Sequence, residues 1–436
     1  MSKFYNESLE CVNRSDLLAH QFKQLKKTLN TAYDNVPFYR KKFKEINISP
    51  EDIHSLDDLT NLSFTTKDDI REKYPFGLSS VDLKDLVVMH ASSGTTGTPT
   101  VSVYNDHDLD SWADMVARCL VMSGMGKEDI FQITPSFGMF TGGFGFFHGA
   151  RKVGAAIIPH GAGFSKRQIQ FMKDFGTTMI CGIVSYPLRL AEVALEIGID
   201  PAKDTQVRKG ILGSEIWSEE MRKKISKIWD MDTYDIYGST ELCGPGAGND
   251  CYIHDGIHIW EDNFLIEVID PDTGELVGPE EKGELVVTTL NKESLPLIRY
   301  RTRDLTYLYD SLSCDCHRTH RRISRILGRV DDMVKVSGVN FWPSEVESHL
   351  LKYPEVGTEY QIIIKKVGAL DHMMITVESN GVLGDDSKIG LANKIKQELH
   401  EILLFKPNIQ IVNPGTIPRA QRGTGKAIRL INEIQR

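Results

Sequence analysis

Apolar positions near the start of the chain recur at threes and fours. Leu18, Phe22, Leu25, Leu29 and Tyr33 mark one face of a helix within residues 9–48. Pro37 interrupts it, and the pattern resumes in FYRKKFKEI. Short polar, proline-containing stretches follow to about residue 85. LVVMHASSGTTGTPTVSVYN then reads as strand, Gly/Thr loop and strand, because β-branched residues flank turn formers.

From 109 to 240 the period alternates between helix and strand. Helices are predicted over 109–122, 143–153, 166–176, 186–198 and 218–229, and strands at IFQITPS, GAAIIPH, TTMICGI, KGILGS and DTYDIYG. Ser218 stands before acidic residues as an N-cap. Strands alternating with helices mean βαβ units and a largely parallel sheet. From 257 to 310 the short β runs FLIEVIDPDTGEL, GELVVTTL and LTYLY predict antiparallel sheet, with Pro-Asp-Thr-Gly as a turn. Beyond GRVDDMVKVSG the chain reads strand–helix–strand–helix, a small α+β domain. The expected fold is α/β: a large domain over 1–328 with parallel sheet and a β-rich part, then a small C-terminal domain over 329–436.

Composition changes this picture little. The chain has 436 residues, 41% apolar and 25% charged, enough for a sizeable core. No apolar run reaches the ~18 residues of a membrane span. The N-terminus lacks a basic stretch followed by an apolar one, so no signal peptide is expected, and the cytoplasm is. The net charge of −9 argues against nucleic acid or an anionic membrane as partner. Seven cysteines do not form a disulfide framework. Cys11, Cys119 and Cys181 read as buried free thiols.

Chemistry begins at Ser92-Ser93-Gly94-Thr95-Thr96-Gly97-Thr98-Pro99-Thr100. Small residues let backbone N–H groups approach phosphate oxygens, and no lysine stands where a Walker A loop requires one. Tyr237-Gly238-Ser239-Thr240-Glu241 ends a predicted strand, where ligands sit in open α/β sheets. Tyr300-Arg301-Thr302-Arg303-Asp304, Gly328-Arg329-Val330-Asp331-Asp332 and Lys426 in Gly-Thr-Gly-Lys-Ala follow in order. Taken singly, each has an ordinary structural reading: Asp304 and Arg329 as surface ion pairs, Tyr237 as core, Glu241 as a helix-start acid. It is their order that is specific.

That series resembles the adenylate-forming superfamily of acyl-CoA synthetases, luciferases and nonribosomal adenylation domains. NVPFYRKKF, SLDDLTNLSFTTKDDIREKYPFGL, FTGG at 140–143, CGPG at 243–246, IWEDNF, PLIRYRTRDL and VNFWPSEVE resemble the phenylacetate–CoA ligase family over nearly the whole chain. The resemblance implies an acid–CoA ligase that uses ATP, coenzyme A and Mg²⁺, acts on an aryl acid through an acyl-adenylate and forms a homodimer. Ser92, Ser93, Gly94, Thr95, Thr96 and Gly97 would then hold the β/γ-phosphates. Ser214, Glu215, Asp235, Tyr237, Gly238 and Ser239 would line the adenine site, and Thr240 would approach the α-phosphate. Glu241 would bind Mg²⁺, Asp304 the ribose, and Arg329 the ribose or phosphate. Lys426 would be the catalytic cation and Asp331 the hinge. Phe137, Met139, Phe140 and Gly213 would shape a flat slot for the acid. No charged residue stands in that segment to fix a substrate amine.

Cys314-Asp315-Cys316-His317-Arg318-Thr319-His320 departs from the nearest relatives and has the look of a metal clip. Cys251, His254 and His258 lie upstream. Zinc favours four Cys/His ligands drawn as two local pairs, which selects Cys251, His258, Cys314 and Cys316, with the histidine and a part for Cys243 left open. Two other readings compete: an adenylating enzyme that loads a carrier-protein thiol, and a nucleotide sensor without turnover. CoA dependence separates the first. The second predicts an altered YGSTE or no C-terminal lysine.

Overall fold

The N-terminal periodicity becomes two helices in the computed structural model, which describes residues 3–92, 98–336, 339–367, 370–403, 405–418 and 429–433. Asn13 caps Arg14–Asn35 by accepting from the Asp16 N–H, and Pro37 opens Pro37–Glu45, where its missing N–H costs no helical bond. The buried face of the first helix is Leu17, Gln21, Leu25, Thr28, Leu29 and Ala32. This turns the stripe away from Leu18 and Phe22. Gln21 is buried because its amide donates to the Glu261 carbonyl (2.9 Å).

The alternating stretch forms one face-covered sheet. Ala156–Ile158, Ile130–Ile133, Met179–Ile183, Lys209–Gly213 and Asp232–Ser239 run parallel in that spatial order. Gly244–Asp250, Ile257–Ile259 and Arg322–Ile323 extend the sheet antiparallel to eight strands. Helices Thr141–Val153, Ser165–Asp174, Ser185–Glu196 and Glu219–Trp229 make the crossovers, the last capped by Ser218 as expected. Asp106–Met122 starts earlier than predicted because Asn105 caps it. Gly244–Asp250 carries no β-branched signal. A Cβ on Gly244 would lie 2.6 Å from the Trp112 ring, so the bare backbone is what lets that strand pass the helix.

A second sheet orders Phe264–Ile269, Gly283–Thr289, Tyr300–Thr306 and Gly328–Arg329, all antiparallel. The RYRTRD segment is thus itself a strand, and the predicted strand at LTYLY ends at Thr306. Val88–Ala91 and Val101–Tyr104 form a separate hairpin.

After a short hairpin, Val334–Val336 with Val339–Phe341, the C-terminal chain runs helix Pro343–Leu350, strands Val356–Val367 and Leu370–Ser379, helix Asp385–Leu403, then Asn408–Val412 and Leu430–Asn432. Two strands, rather than the one expected, separate the helices. The long antiparallel pair is flanked by parallel partners on both edges. Val336, Phe341, Val346, Ile362, Ile375 and Ile395 belong to a core of their own, distinct from the one around Leu25, Trp112 and Leu285. Among the described residues no helix is long and apolar enough to cross a membrane.

Candidate active site

The Val88–Ala91/Val101–Tyr104 hairpin carries the Ser/Gly/Thr loop. Its base is pinned where the Ser92 N–H donates to the Thr100 carbonyl and the Thr100 N–H to the Ser92 hydroxyl, both 2.9 Å. Ser93, Gly94, Thr95, Thr96 and Gly97 lie outside the described residues. Thr100 Oγ1 donates to Glu241 Oε1 (3.0 Å), and Lys67 Nζ stands 3.2 Å from the same oxygen. Burial pushes the Glu241 carboxyl up, but Lys67 and Thr100 together hold it below the usual value. Loop and YGSTE segment therefore meet at one carboxylate.

Two cations here escaped the sequence reading. Lys67 opens helix Lys67–Glu72, which Thr66 and Asp69 cap reciprocally, a Thr-x-x-Asp signal that places a lysine at a helix start without saying what it faces. Lys292 is buried, donates to Ser102 Oγ (2.7 Å) and to the Glu241 carbonyl (3.2 Å), and is lowered to about 8 by burial. A lysine after an apolar strand gives no sign of burial.

Near enough to Glu241 to feel its charge, Asp304 accepts from the Tyr237 hydroxyl at Oδ2 (2.8 Å) and from Arg329 at Oδ1 (2.7 Å). Burial raises the Asp304 carboxyl against the opposing pull of Arg329 and Tyr237. Asp235 is pushed up to about 7 by burial, with Arg325 opposing. These groups stand at or beside the carboxyl ends of strands Lys209–Gly213 and Asp232–Ser239, the ligand edge of a parallel sheet. There the backbone is crowded: a Cβ on Gly213 would sit 2.4 Å from the Ile236 carbonyl oxygen, and one on Gly238 2.0 Å from that of Gly244. Ser214 adopts φ +65. Glu215 holds the start of helix Ser185–Glu196, accepting from Ser185 N–H (2.7 Å) and Oγ (3.0 Å), so its carboxylate is committed and its backbone is what remains for a ligand. Ser239 accepts a long bond from the Leu242 N–H (3.4 Å), and Thr240 is half-buried beside it.

Phe137 joins an aromatic group, 5.3 Å from Phe144 and 6.4 Å from Phe147 by ring centroids. Phe144, His90 and Trp112 continue it. Phe140 is half-buried just ahead of helix Thr141–Val153, whereas Met139 is 55% exposed. Asp331 receives Nε and Nη2 of Arg329, each at 3.0 Å. Lys426 lies outside the described residues.

Cys251, His258, Cys314 and Cys316 converge, their ligand atoms all within 4.8 Å of one another. Strand pairing does this: His258 lies opposite Arg322, which brings the Cys314–Cys316 loop over the Cys251 turn. Cys251 and Cys314 sulfurs are 3.7 Å apart, and Cys316 Sγ is 3.3 Å from His258 Nε2. A tetrahedral zinc with Zn–S of about 2.3 Å separates its sulfurs by about 3.8 Å. His258 Nδ1 donates to the His320 carbonyl (3.2 Å), which turns Nε2 toward the thiols. His254 instead bonds Asp250 (2.9 Å), and Cys243 is buried elsewhere with Gly244 as its neighbour.

The sequence profile of the AMP-binding enzyme family matches residues 15–291, and that of the AMP-binding enzyme C-terminal domain matches 338–433. The phenylacetate-coenzyme A ligase of Escherichia coli is 39% identical over 98% of this chain and 97% of its own, and that of Thermus thermophilus 38% over 96% and 97%. A 2-hydroxyisobutyryl-CoA ligase crystallised in its postadenylation state superposes with a TM-score of 0.91 at 25% identity, covering 100% of this chain and 93% of the other. The same ligase in its thioesterification state, 26% identical and covering 99% and 92%, gives 0.73. The chain belongs to the AMP-binding enzyme family, among the phenylacetate–CoA ligases, and is an AMP-forming acid–CoA ligase.

Proposed function

We propose that this enzyme joins phenylacetate, or a closely related aryl acid, to coenzyme A with the cleavage of ATP. The observation that carries the reading is the placing of the Tyr237, Asp304 and Arg329 group close to the Thr100, Lys67 and Glu241 group. Full-length identity of 37–39% to curated phenylacetate–CoA ligases supports the choice of acid.

In this reading Asp304 accepts from the ribose hydroxyls, a task for an acceptor-only carboxylate. Asp235, Tyr237, Gly238 and the backbone of Ser214 and Glu215 border the adenine. Ser92, Ser93, Gly94, Thr95, Thr96 and Gly97 cradle the outer phosphates, with Ser239 and Thr240 at the α-phosphate. The Glu241 carboxylate, held ionised by its neighbours, fits Mg²⁺, which when bound neutralises phosphate charge. Phe137, Phe140 and Gly213 border the acid. The acid's carboxylate attacks the α-phosphorus and pyrophosphate leaves. Lys426 supplies the preplaced cation for the charge that gathers there. The CoA thiolate then displaces AMP from the acyl-adenylate. We divide the chain at 328/329, with Asp331 as the hinge about which the C-terminal part moves between the two steps.

Cys251, His258, Cys314 and Cys316 would hold a structural zinc, whose part would be to tie the sheet edge together. The supply of ATP and CoA favours the cytoplasm, and the resemblance favours a homodimer, which sedimentation tests.

A panel of aryl acids assayed for CoA-dependent AMP release tests the substrate. Phenylacetate should rank first, and a panel without CoA-dependent release would end the reading. Lys426→Ala should abolish ATP–pyrophosphate exchange yet leave thioester formation from supplied acyl-adenylate intact. Equal loss of both steps would remove Lys426 from its role.

A further inference from the structure

Around the adenine end of the nucleotide site, a second set of contacts ties the chain beyond Asp331 to the body. The indole of Trp342 lies on Gly328, where a Cβ would come within 2.6 Å of it. Its Nε1 donates to the Arg329 carbonyl (3.0 Å), and Ser344 Oγ donates to the Leu327 carbonyl (2.6 Å). Lys282, just ahead of strand Gly283–Thr289, holds its ammonium 3.4 Å from the Trp342 ring centroid and 4.0 Å from Glu345. On the opposite flank Lys224, from helix Glu219–Trp229, reaches across to donate to the Val356 carbonyl (2.9 Å). Its amine is lowered by burial alone.

Between these anchor points the two faces do not close on each other. They enclose a cavity of about 390 Å³, walled by Ser214, Glu215 and Arg329 of the nucleotide site on one side and Trp342, Tyr360 and Arg429 on the other. Polar contacts at the rim of a ligand site, with Leu351 as an apolar contact against the body, make an interface that can part and re-form, unlike a continuous apolar seal. The contacts belong to one arrangement of the chain, since the molecule superposes at 0.91 on a relative in its postadenylation state and at 0.73 on the same relative in its thioesterification state.

We infer that Lys224, Lys282 and Trp342 are positioning residues, a latch that holds the adenylation arrangement and lets go before CoA attacks. This rests on the two-step ligase reading given above. No residue of the latch touches the reacting atoms. Its work is to raise the share of molecules whose C-terminal lysine-bearing part is in place for the first step, so weakening it lowers the population competent for adenylation without touching the chemistry.

Lys224→Met and Trp342→Ala test it, with Lys224→Arg as the conservative control. ATP–pyrophosphate exchange should fall about tenfold in each of the first two. Thioester formation from supplied acyl-adenylate and CoA should hold or rise, and Lys224→Arg should restore most of the exchange. An equal fall in both steps, or no change in either, would overturn the latch. A second readout needs no acid: tryptic cleavage within 329–338 should quicken several-fold in Lys224→Met and Trp342→Ala. Unchanged cleavage would dismiss the latch even if the parent enzyme proved to act on another substrate. A parent enzyme that made no aryl-CoA while cleavage quickened would instead retire the substrate reading and keep the latch.

Discussion

The nucleotide cleft and the Cys/His cluster both gather side chains from distant stretches, yet they balance charge in opposite ways. In the cleft the described carboxylates already face partners: Glu241 meets Lys67 and Thr100, and Asp304 meets Arg329 and Tyr237. In the cluster four soft donors face one another, with sulfurs 3.7 Å apart and an imidazole nitrogen 3.3 Å from a third thiol. A site that empties at every turnover has to stand without its substrate, so its charges are paired internally. A site for a permanent ion can leave its ligands mutually unsatisfied, because the ion is part of the fold.

The largest effect that would break this contrast concerns the cleft. Asp304→Ala should lower kcat/KM by about 10²–10³. The melting temperature should fall by only a few degrees, since Arg329 keeps Asp331 as partner at 3.0 Å and the Tyr237 hydroxyl alone loses its acceptor. A strong loss of stability with activity retained per folded molecule would show the pairing to be structural.

On the cluster's side, Arg318 of the same loop donates to Glu10 (2.8 Å) and to the Lys3 carbonyl (2.7 Å), a buried pair that fastens the N-terminal segment. Arg318→Ala removes the cation paired with the buried Glu10 carboxylate, leaving it the Tyr5 and Asn6 N–H groups, and should cost about 3–5 kcal/mol, read as a shift in the urea midpoint. Cys314→Ser should then take zinc from about one per chain to below about 0.2 and lower the melting temperature by several degrees, with kcat per folded enzyme unchanged. Zinc content that does not depend on Cys314 would undo the contrast.

The last effect is a slope with pH and not a loss of activity. The Asp235 carboxyl rises from 3.8 to about 7 on burial. Between those values the folded chain holds the proton and the unfolded chain does not, so this group's contribution to stability falls as pH rises through the window. Asp235→Asn should flatten that slope in urea titrations between about pH 4 and about pH 7. An unchanged slope would move the titration to another group.

Much of this was legible in the sequence, for reasons that are local. Helices announce themselves by spacing and by caps such as Ser218, and parallel strands by short apolar runs between them. The cysteine pair at 314 and 316 and the motif order from Ser92 to Arg329 were legible because the residues are chemically unusual or fall in a fixed succession. The strand Gly244–Asp250 was not legible. Its glycines serve a close approach to Trp112 that exists only once the helix Asp106–Met122 is packed beside it. Glu215 illustrates the same limit: the family resemblance implies a place in the adenine site, but its carboxylate holds the start of a helix well upstream at Ser185.

Taken alone, the sequence determined the alternation of helix and strand, the family and the group of cysteines and histidines from which a metal site would draw, because each depends on residue type and spacing along the chain. Tertiary structure alone decided that Lys67 and Lys292 converge on Glu241, that His258 rather than His254 faces the thiols, and that Lys224 reaches Val356. Each of those contacts joins residues at least 51 positions apart. Nothing in a local pattern encodes which of many exposed-looking lysines the packing will turn inward.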